Sequence, residues 1–390
     1  MLHQMVDDRS SSVIARRARR VLCAPDSFKE TLPASEAATA MAEGVGRLKP
    51  PVHCCQCPVA DGGEGSLETL MAALGGSIHP PRVTGPLGKP VESCFGIAGD
   101  GKRAVVELAR ASGLGLVRPP LRDPTRTTSY GTGQLIAAAA RSGCETIIVC
   151  IGGSATVDGG AAIAQALGAE FRDSAGRLIS EPLTGGRLCD IRSWQPPRGL
   201  PVIRVACDVI NPLLGSDGAA AVYAPQKGAT PAQVRQLDGA LEHLAALCGV
   251  DPDLPGAGAA GGAGYGLAAF CGARLERGID LVLEAVGFRR WLEGMDLVLT
   301  GEGCLDGHSL AGKAPLGVAR AAAEWGVRTV AIVGRTAAGA EKCLDPSRGG
   351  LLDAVVSLTH LYGHRRAIRE TATLLADTAE DVVGGWKTGW

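Results

Sequence analysis

Seven acidic residues stand in or just beyond glycine-rich turns, most of them directly after short apolar runs. Asp26 follows Val21-Leu22-Cys23-Ala24, Asp61 and Glu64 follow the run 52–60, and Asp158 follows 147–151. Asp208 follows 202–207, while Glu302 and Asp306 follow 297–300. Apolar runs of this kind read as buried parallel strands, and open α/β sheets seat their ligands at the carboxyl ends of such strands. Carboxylates beside pliable glycine turns suit a hard divalent cation, a phosphate and a hydroxyl nucleophile, which is the equipment of phosphoryl transfer.

Four loops carry the chemistry. Gly152-Gly153-Ser154-Ala155-Thr156 and the residues to Gly160 join a strand to a helix. The glycines let backbone N–H groups approach an anion where a helix N-terminus also favours one, and Ser154 and Thr156 add hydroxyls. The same spacing equally fits a tight turn in which Asp158 caps the helix. Gly256-Ala257-Gly258-Ala259-Ala260-Gly261 satisfies the dinucleotide pattern G-x-G-x-x-G, but the residues before it, 249–255, do not read as the strand that pattern requires. The loop either wraps a nucleotide phosphate or is a linker. The stretch from Gly307 to Ala314 nearly spells a P-loop but ends in Ala314, which has no hydroxyl for magnesium. Its Lys313 reads as a phosphate contact or as a solvated surface charge. Pro25-Asp26-Ser27-Phe28-Lys29-Glu30 places a carboxylate, a hydroxyl and an ammonium in one turn, either to hold a small hydroxy acid or as a capped turn with an ion pair.

The elements that must position these loops alternate between strand and helix, the rhythm of α/β architecture with parallel pairing. Strands are expected at 20–24, 52–58, 146–151, 201–207, 297–300, 329–333 and 354–357. Helices are expected at 34–48, 66–74, 130–142, 161–167, 231–247, 264–272 and 315–325. From residue 78 to 107 the texture changes to two-residue alternation, with Gly99-Asp100-Gly101 as a hairpin turn. That change places the start of a second domain near residue 80. The expected division is a disordered extension at 1–19, one domain from 20–79 plus 287–390, and an inserted α/β domain at 80–286.

Composition removes several function classes. Hydrophobic residues make up 46% of the 390 and charged residues 20%, the profile of a globular enzyme. A formal charge of −1 and 4% aromatics supply neither the field nor the stacking surfaces for nucleic acid. No run reaches the roughly 20 apolar residues of a membrane span. The basic segment 16–20 has no apolar stretch before it, so it does not read as a secretory signal. The thirteen cysteines lie mostly in apolar runs or helical patterns, as small buried hydrophobes in a reducing cytoplasm. Cys54-Cys55-Gln56-Cys57 lacks the second ligand pair of a zinc site.

Taken in order, seven blocks resemble the bacterial type I glycerate kinase family across residues 21–334. They are Ala24-Pro25-Asp26-Ser27-Phe28-Lys29, Ala60-Asp61-Gly62-Gly63-Glu64-Gly65, Gly152-Gly153-Ser154-Ala155-Thr156, Ala206-Cys207-Asp208-Val209 with Asn211-Pro212, Ala224-Pro225-Gln226-Lys227-Gly228-Ala229, Gly258-Ala259-Ala260-Gly261-Gly262, and Thr300-Gly301-Glu302-Gly303 through Lys313-Ala314-Pro315. The resemblance implies a flavodoxin-like parallel-sheet domain built from both chain ends and an inserted mixed α/β domain likened to restriction endonucleases. It implies ATP and Mg2+ as cofactors, D-glycerate as the small-molecule substrate, and catalysis in the cleft between the domains. Phosphorylation at the 2-hydroxyl is expected; the 3-hydroxyl, or another small hydroxy acid, is the alternative. A nicotinamide-dependent oxidoreductase and a hydroxy-acid sensor are the rival classes, and assembly is open, a homodimer being one option.

On that resemblance Asp208 is expected as the general base, with Asp26 second and Lys29 beside them. Ser27, Lys29, Asp61, Gly62 and Gly63 are expected to hold the substrate. Gly152, Gly153, Ser154, Gly258, Gly261, Gly262 and Lys313 are expected to face phosphates, and Asp61, Glu64 and Glu302 to bind the metal. The chain departs from the family at Val157, where Asn is common, at His308, where Gln is usual, and at Ser66 and Ser309, where Thr is usual.

Overall fold

The computed structural model describes residues 19–28, 31–63, 65–307, 309 and 312–385. Residues 1–18 of the extension expected at 1–19, together with Lys29, Glu64 and His308, therefore lie outside the described residues. The described chain forms two compact units, which divide between residues 61 and 62 and between residues 278 and 279.

The first unit is built on five strands, Arg20–Cys23, His53–Gln56, Leu297–Thr300, Arg328–Val333 and Ala354–Ser357, all paired in parallel. Numbered along this unit, their order in space is 2-1-3-4-5, one of the two common doubly wound orders. Alternation along a strand assigns its faces. Val330 and Ile332 join Val21, Met41, Leu299 and Leu375 in a core under the helices Ala34–Gly46 and Thr371–Gly385. Ala331 and Val333 face the other way, onto Leu305, Leu316, Ala319 and Cys343. With both faces covered, the central strands read as unbroken apolar runs, which is why the sequence exposes them so plainly.

Backbone bonds knit the strand tips of this sheet together. Ala24 N–H donates to Leu299 O at 2.7 Å, Asp26 N–H to Gly301 O at 2.9 Å, and Val59 N–H to Pro25 O at 3.0 Å. Gly301 is required at this junction, because a Cβ there would stand 2.0 Å from Ile332 O.

The second unit carries a six-stranded sheet in the order Arg274–Glu276, Val202–Ala206, Thr146–Cys150, Arg103–Glu107, Phe95–Ile97, Ser77–His79. The first four are parallel, and the last two add antiparallel through the hairpin expected at 99–101. The longest helix, Pro231–Cys248, starts at a capping box between Thr230 and Gln233 with Pro231 in the first turn, and stops at left-handed Gly249.

The boundaries differ from the sequence expectation of 79/80 and 286/287: the units divide at 61/62 and 278/279. Helix Ser66–Leu74 belongs with the second sheet, since Leu67 N–H donates to the buried Glu107 Oε1 at 2.8 Å, and Ser77–His79 pairs with Phe95–Ile97. The alternating texture near residue 80 marks where antiparallel strands begin, not where packing changes hands. Among the described residues, no helix is long and apolar enough to cross a membrane.

Gly301→Ala must displace the Ile332 carbonyl and is expected to destabilise the protein by about 1–3 kcal/mol, the usual range for overpacking. Urea denaturation measures it; a midpoint unchanged from the parent would contradict the assigned close approach.

Candidate active site

In the first unit the expected acids sit at the carboxyl edge of the parallel sheet. Asp26 follows the first strand and is buried at 8% exposure, with its carboxylate receiving Ser27 N–H at 2.6 Å. Asp61 lies beyond the neighbouring strand and Glu302 beyond the strand on the other side, so the Asp26 loop stands between them. Asp26 and Glu302 flank the point where strand order reverses, the position at which doubly wound sheets take ligands.

Glu302 is 8% exposed and receives Ser309 Oγ at 3.0 Å, while Lys313 Nζ lies 3.5 Å from its other oxygen. Burial pushes its carboxyl up to about 7, Lys313 and Ser309 oppose the shift, and the nearby Asp61 charge adds to it. Lys313 starts the helix Ala314–Ala323 and also approaches Asp306 at 3.4 Å. Burial lowers its pKa, but Glu302 and Asp306 outweigh that and the ammonium is held above its ordinary value. The solvated-surface reading of Lys313 is therefore replaced by an ion-paired one.

In the second unit the 152–156 loop and Asp208 follow adjacent parallel strands, Thr146–Cys150 and Val202–Ala206. Gly152 and Gly153 are exposed and Ser154 is buried. Asp208 receives Gly278 N–H at 2.8 Å. The Gly62-Gly63 turn lies across both strand tips: a Cβ on Gly62 would stand 2.7 Å from Ala206 Cβ, and one on Gly152 would stand 3.3 Å from Gly63 Cα. Gly62, Gly63, Gly152 and Asp208 thus gather at one edge of the second sheet.

Gly258, Gly261 and Gly262 are buried instead of presented to a ligand. A Cβ on Gly261 would lie 1.9 Å from Thr156 O, and Gly261 O receives Gly159 N–H at 3.1 Å. Their glycine character serves close backbone approach beneath the 152–160 loop. Residues 249–258 form no strand, which removes the context a dinucleotide fingerprint needs. Asp158 is fully buried and receives Ser129 N–H at 2.7 Å and Gly160 N–H at 3.2 Å, so it braces the turn but does not cap helix Ala161–Ala166, whose N-cap is Gly160 with no side-chain cap.

Lys227 was not singled out among the site residues. It is 2% exposed and donates to Ser154 Oγ at 2.6 Å and Thr156 O at 2.7 Å. Its segment carries no periodic signal; only the match of the surrounding block to a known family marks it.

A family model described as the glycerate kinase family matches residues 21–387. The glycerate kinase of Halalkalibacterium halodurans is 43% identical over 379 residues, covering 94% of this chain and 98% of its own. The glycerate 2-kinase of Escherichia coli K12 is 47% identical over 325 residues, covering 81% and 85%. A crystal structure from Salmonella typhimurium LT2, described as glycerate kinase 2, aligns with a TM-score of 0.81 at 43% identity, covering 94% of this chain and 97% of its own.

The Glu302 carboxyl titrates in the folded protein near 7, above its ordinary value of 4.5, so the folded chain keeps a proton that the unfolded chain releases. Stability is complete below about 4.5 and falls as pH rises toward 7. Glu302→Gln, which cannot ionise, is expected to be more stable than the parent at pH 8 by about 2–3 kcal/mol and equal to it near pH 4. Urea denaturation at the two pH values decides it; a difference that does not grow with pH contradicts the burial argument.

Proposed function

The chain belongs to the glycerate kinase family, and we propose that this kinase transfers the γ-phosphoryl of ATP to the 2-hydroxyl of D-glycerate, giving 2-phosphoglycerate and ADP. The observation that carries the reading is the second unit's sheet edge, where the glycine loop 152–156, the Gly62-Gly63 turn and Asp208 meet. Phosphoryl transfer asks for alignment and charge neutralisation more than for covalent chemistry, and such a loop supplies both. The position on glycerate is supported by the name of the Escherichia coli relative.

In this reading Asp208 takes the proton of the attacking hydroxyl as its oxygen bonds to the γ-phosphorus and the bond to the β-phosphate oxygen breaks. The Gly278 N–H on one carboxylate oxygen fixes the orientation of that base. Asp26, set rigidly by the Ser27 and Gly301 contacts, is the second acid. Ser27, Asp61, Gly62 and Gly63, with Lys29 from the sequence, hold the hydroxy acid. Gly152, Gly153 and Ser154 take phosphate oxygens. Gly258, Gly261 and Gly262 support that loop from within, and Lys313 contributes cationic charge at the other sheet edge.

The residues present fit magnesium. Mg2+ takes one or two carboxylates and completes its shell with water and substrate phosphates. Glu302 near Asp61, with a carboxyl poised near 7, is a hard oxygen donor whose ionised form a cation would favour. Among the described residues no three His, Cys, Asp or Glu side chains gather as a cage, so the fit is to the open kind of site. Magnesium when bound would neutralise phosphate charge. We place the reaction in a reducing cytoplasm, which the thirteen free thiols support. The first unit's strand order supports the flavodoxin-like description.

A coupled ADP-release assay with D-glycerate, followed by NMR of the product, is expected to show MgATP-dependent turnover and phosphorus on the 2-oxygen. Asp208→Asn is expected to lower kcat by on the order of 10² to 10³, the loss typical of removing a charged group that acts in the transition state. Near-normal turnover would remove Asp208 from the mechanism, and a 3-phosphorylated product would overturn the position.

A further inference from the structure

The loop 152–156 has two sides. Gly152 and Gly153 are exposed, whereas Ser154, Ala155 and Thr156 are buried. One flank is stitched to the backbone of the preceding crossover: Leu114 N–H donates to Gly153 O and Ala155 N–H to Ser112 O, both at 2.8 Å. The interior side rests on Lys227, whose ammonium donates to Ser154 Oγ at 2.6 Å and to Thr156 O at 2.7 Å.

A lysine buried this completely is uncommon without a partner that justifies it. Burial draws its pKa down to about 7 and the charge of the buried Asp158 opposes that fall, while Ser154 Oγ and the Thr156 carbonyl both receive from its nitrogen. What that ammonium does to Ser154 follows from the inventory of a hydroxyl, which has one hydrogen to donate and lone pairs to receive. With its oxygen receiving from Lys227, Ser154 keeps its hydrogen for another acceptor. A charged donor also polarises the hydroxyl and strengthens the bond it gives in turn. The Thr156 carbonyl, held by the same ammonium, is the group that Gly261 approaches so closely, so one cation anchors both ends of the segment.

We propose that Lys227 is a positioning residue for phosphoryl transfer: held beneath the 152–156 loop, its ammonium turns the Ser154 hydroxyl into an oriented donor for a phosphate oxygen and fixes the loop through Thr156. This rests on the reading of that loop as the phosphate cradle. Lys227 itself touches no substrate, and its effect passes through Ser154.

The test is a double-mutant cycle on the full-length enzyme. Lys227→Met keeps the length of the stem and removes the charge, Ser154→Ala removes the hydroxyl, and the two are combined. Steady-state kinetics with MgATP and D-glycerate are measured alongside thermal unfolding. Each single variant is expected to lose kcat by about tenfold or more while KM for D-glycerate changes by less than about threefold, and the double variant is expected to be no slower than the worse single. A purely structural role predicts that the two losses multiply, and that result overturns the proposal. So does a Lys227→Met enzyme with the parent's kcat while Ser154→Ala is impaired. If Lys227→Met is not recovered folded, Lys227→Gln enters the same cycle and is judged by the same criterion. Should Ser154→Ala and Gly153→Ala both leave turnover intact, the cradle reading itself fails, an outcome distinct from failure of the Lys227 role.

Discussion

Each sheet ends, at its carboxyl edge, in a lysine and a carboxylate drawn out of water, and the desolvation of these charges constrains what surrounds them. The two cases differ. Lys313 is half-buried beside Glu302 and Asp306, so its ammonium is stabilised and Glu302 bears the strain of burial, shifted to about 7. Lys227 is fully buried, and there the lysine gives way: burial brings it down to about 7, with Asp158 opposing, while burial also raises Asp158. Desolvation acts on the charged form in all of these groups: in the first pair the more buried Glu302 yields, and in the second, where both are fully buried, both are shifted. The first arrangement is an acid edge in which Lys313 lies against two carboxylates. The second is a rigid polar support under a loop.

Such support is possible only where backbone can come close to backbone. Helix Ala259–Cys271 is interrupted by Ala260, Gly261 and Gly262, all in the left-handed region, and Ala260 is the one non-glycine with positive φ among the described residues. A side chain in that conformation costs about 1–2 kcal/mol. The interruption is held by Gly159 N–H on Gly261 O and by the packing of Gly261 against Thr156 O. Backbone strain is thus stored directly beneath the segment that Lys227 anchors, in keeping with the tendency of strained conformations to gather at functional loops.

How much of this was legible in the sequence depended on whether a residue's local surroundings announce its role. The buried parallel strands were, since Thr146–Cys150 and Leu297–Thr300 are apolar apart from one terminal threonine each and lead into glycine and acid. The acids at their tips followed from that. The role of Gly258, Gly261 and Gly262 was not, because a cradle for phosphate and a close approach between two backbones ask for the same residue. Lys227 was invisible for a related reason: whether a lysine is solvated or buried is settled by residues such as Ser154, 73 positions away along the chain. The unit boundary was misplaced because a strand pattern near residue 80 is local, while membership of helix Ser66–Leu74 is fixed by Glu107, 40 residues from Leu67.

The departures from the family pattern make the same point from the other direction. Val157 stands where the family commonly has a polar residue, which in the sequence alone removes a ligand contact. In the fold its side chain is fully buried and packs in a core with Ala161, Leu237 and Leu241, so the replacement alters packing under the loop and leaves the exposed Gly152 and Gly153 as they are. Ser309 and Ser66 replace threonines, and each uses only its hydroxyl: Ser309 Oγ donates to Glu302, and Ser66 Oγ donates to Gly63 O at 2.8 Å. What those two positions must supply is a hydroxyl against a named oxygen. Serine supplies that hydroxyl at both positions, so the contacts to Gly63 and Glu302 at the two sheet edges are made without a threonine methyl.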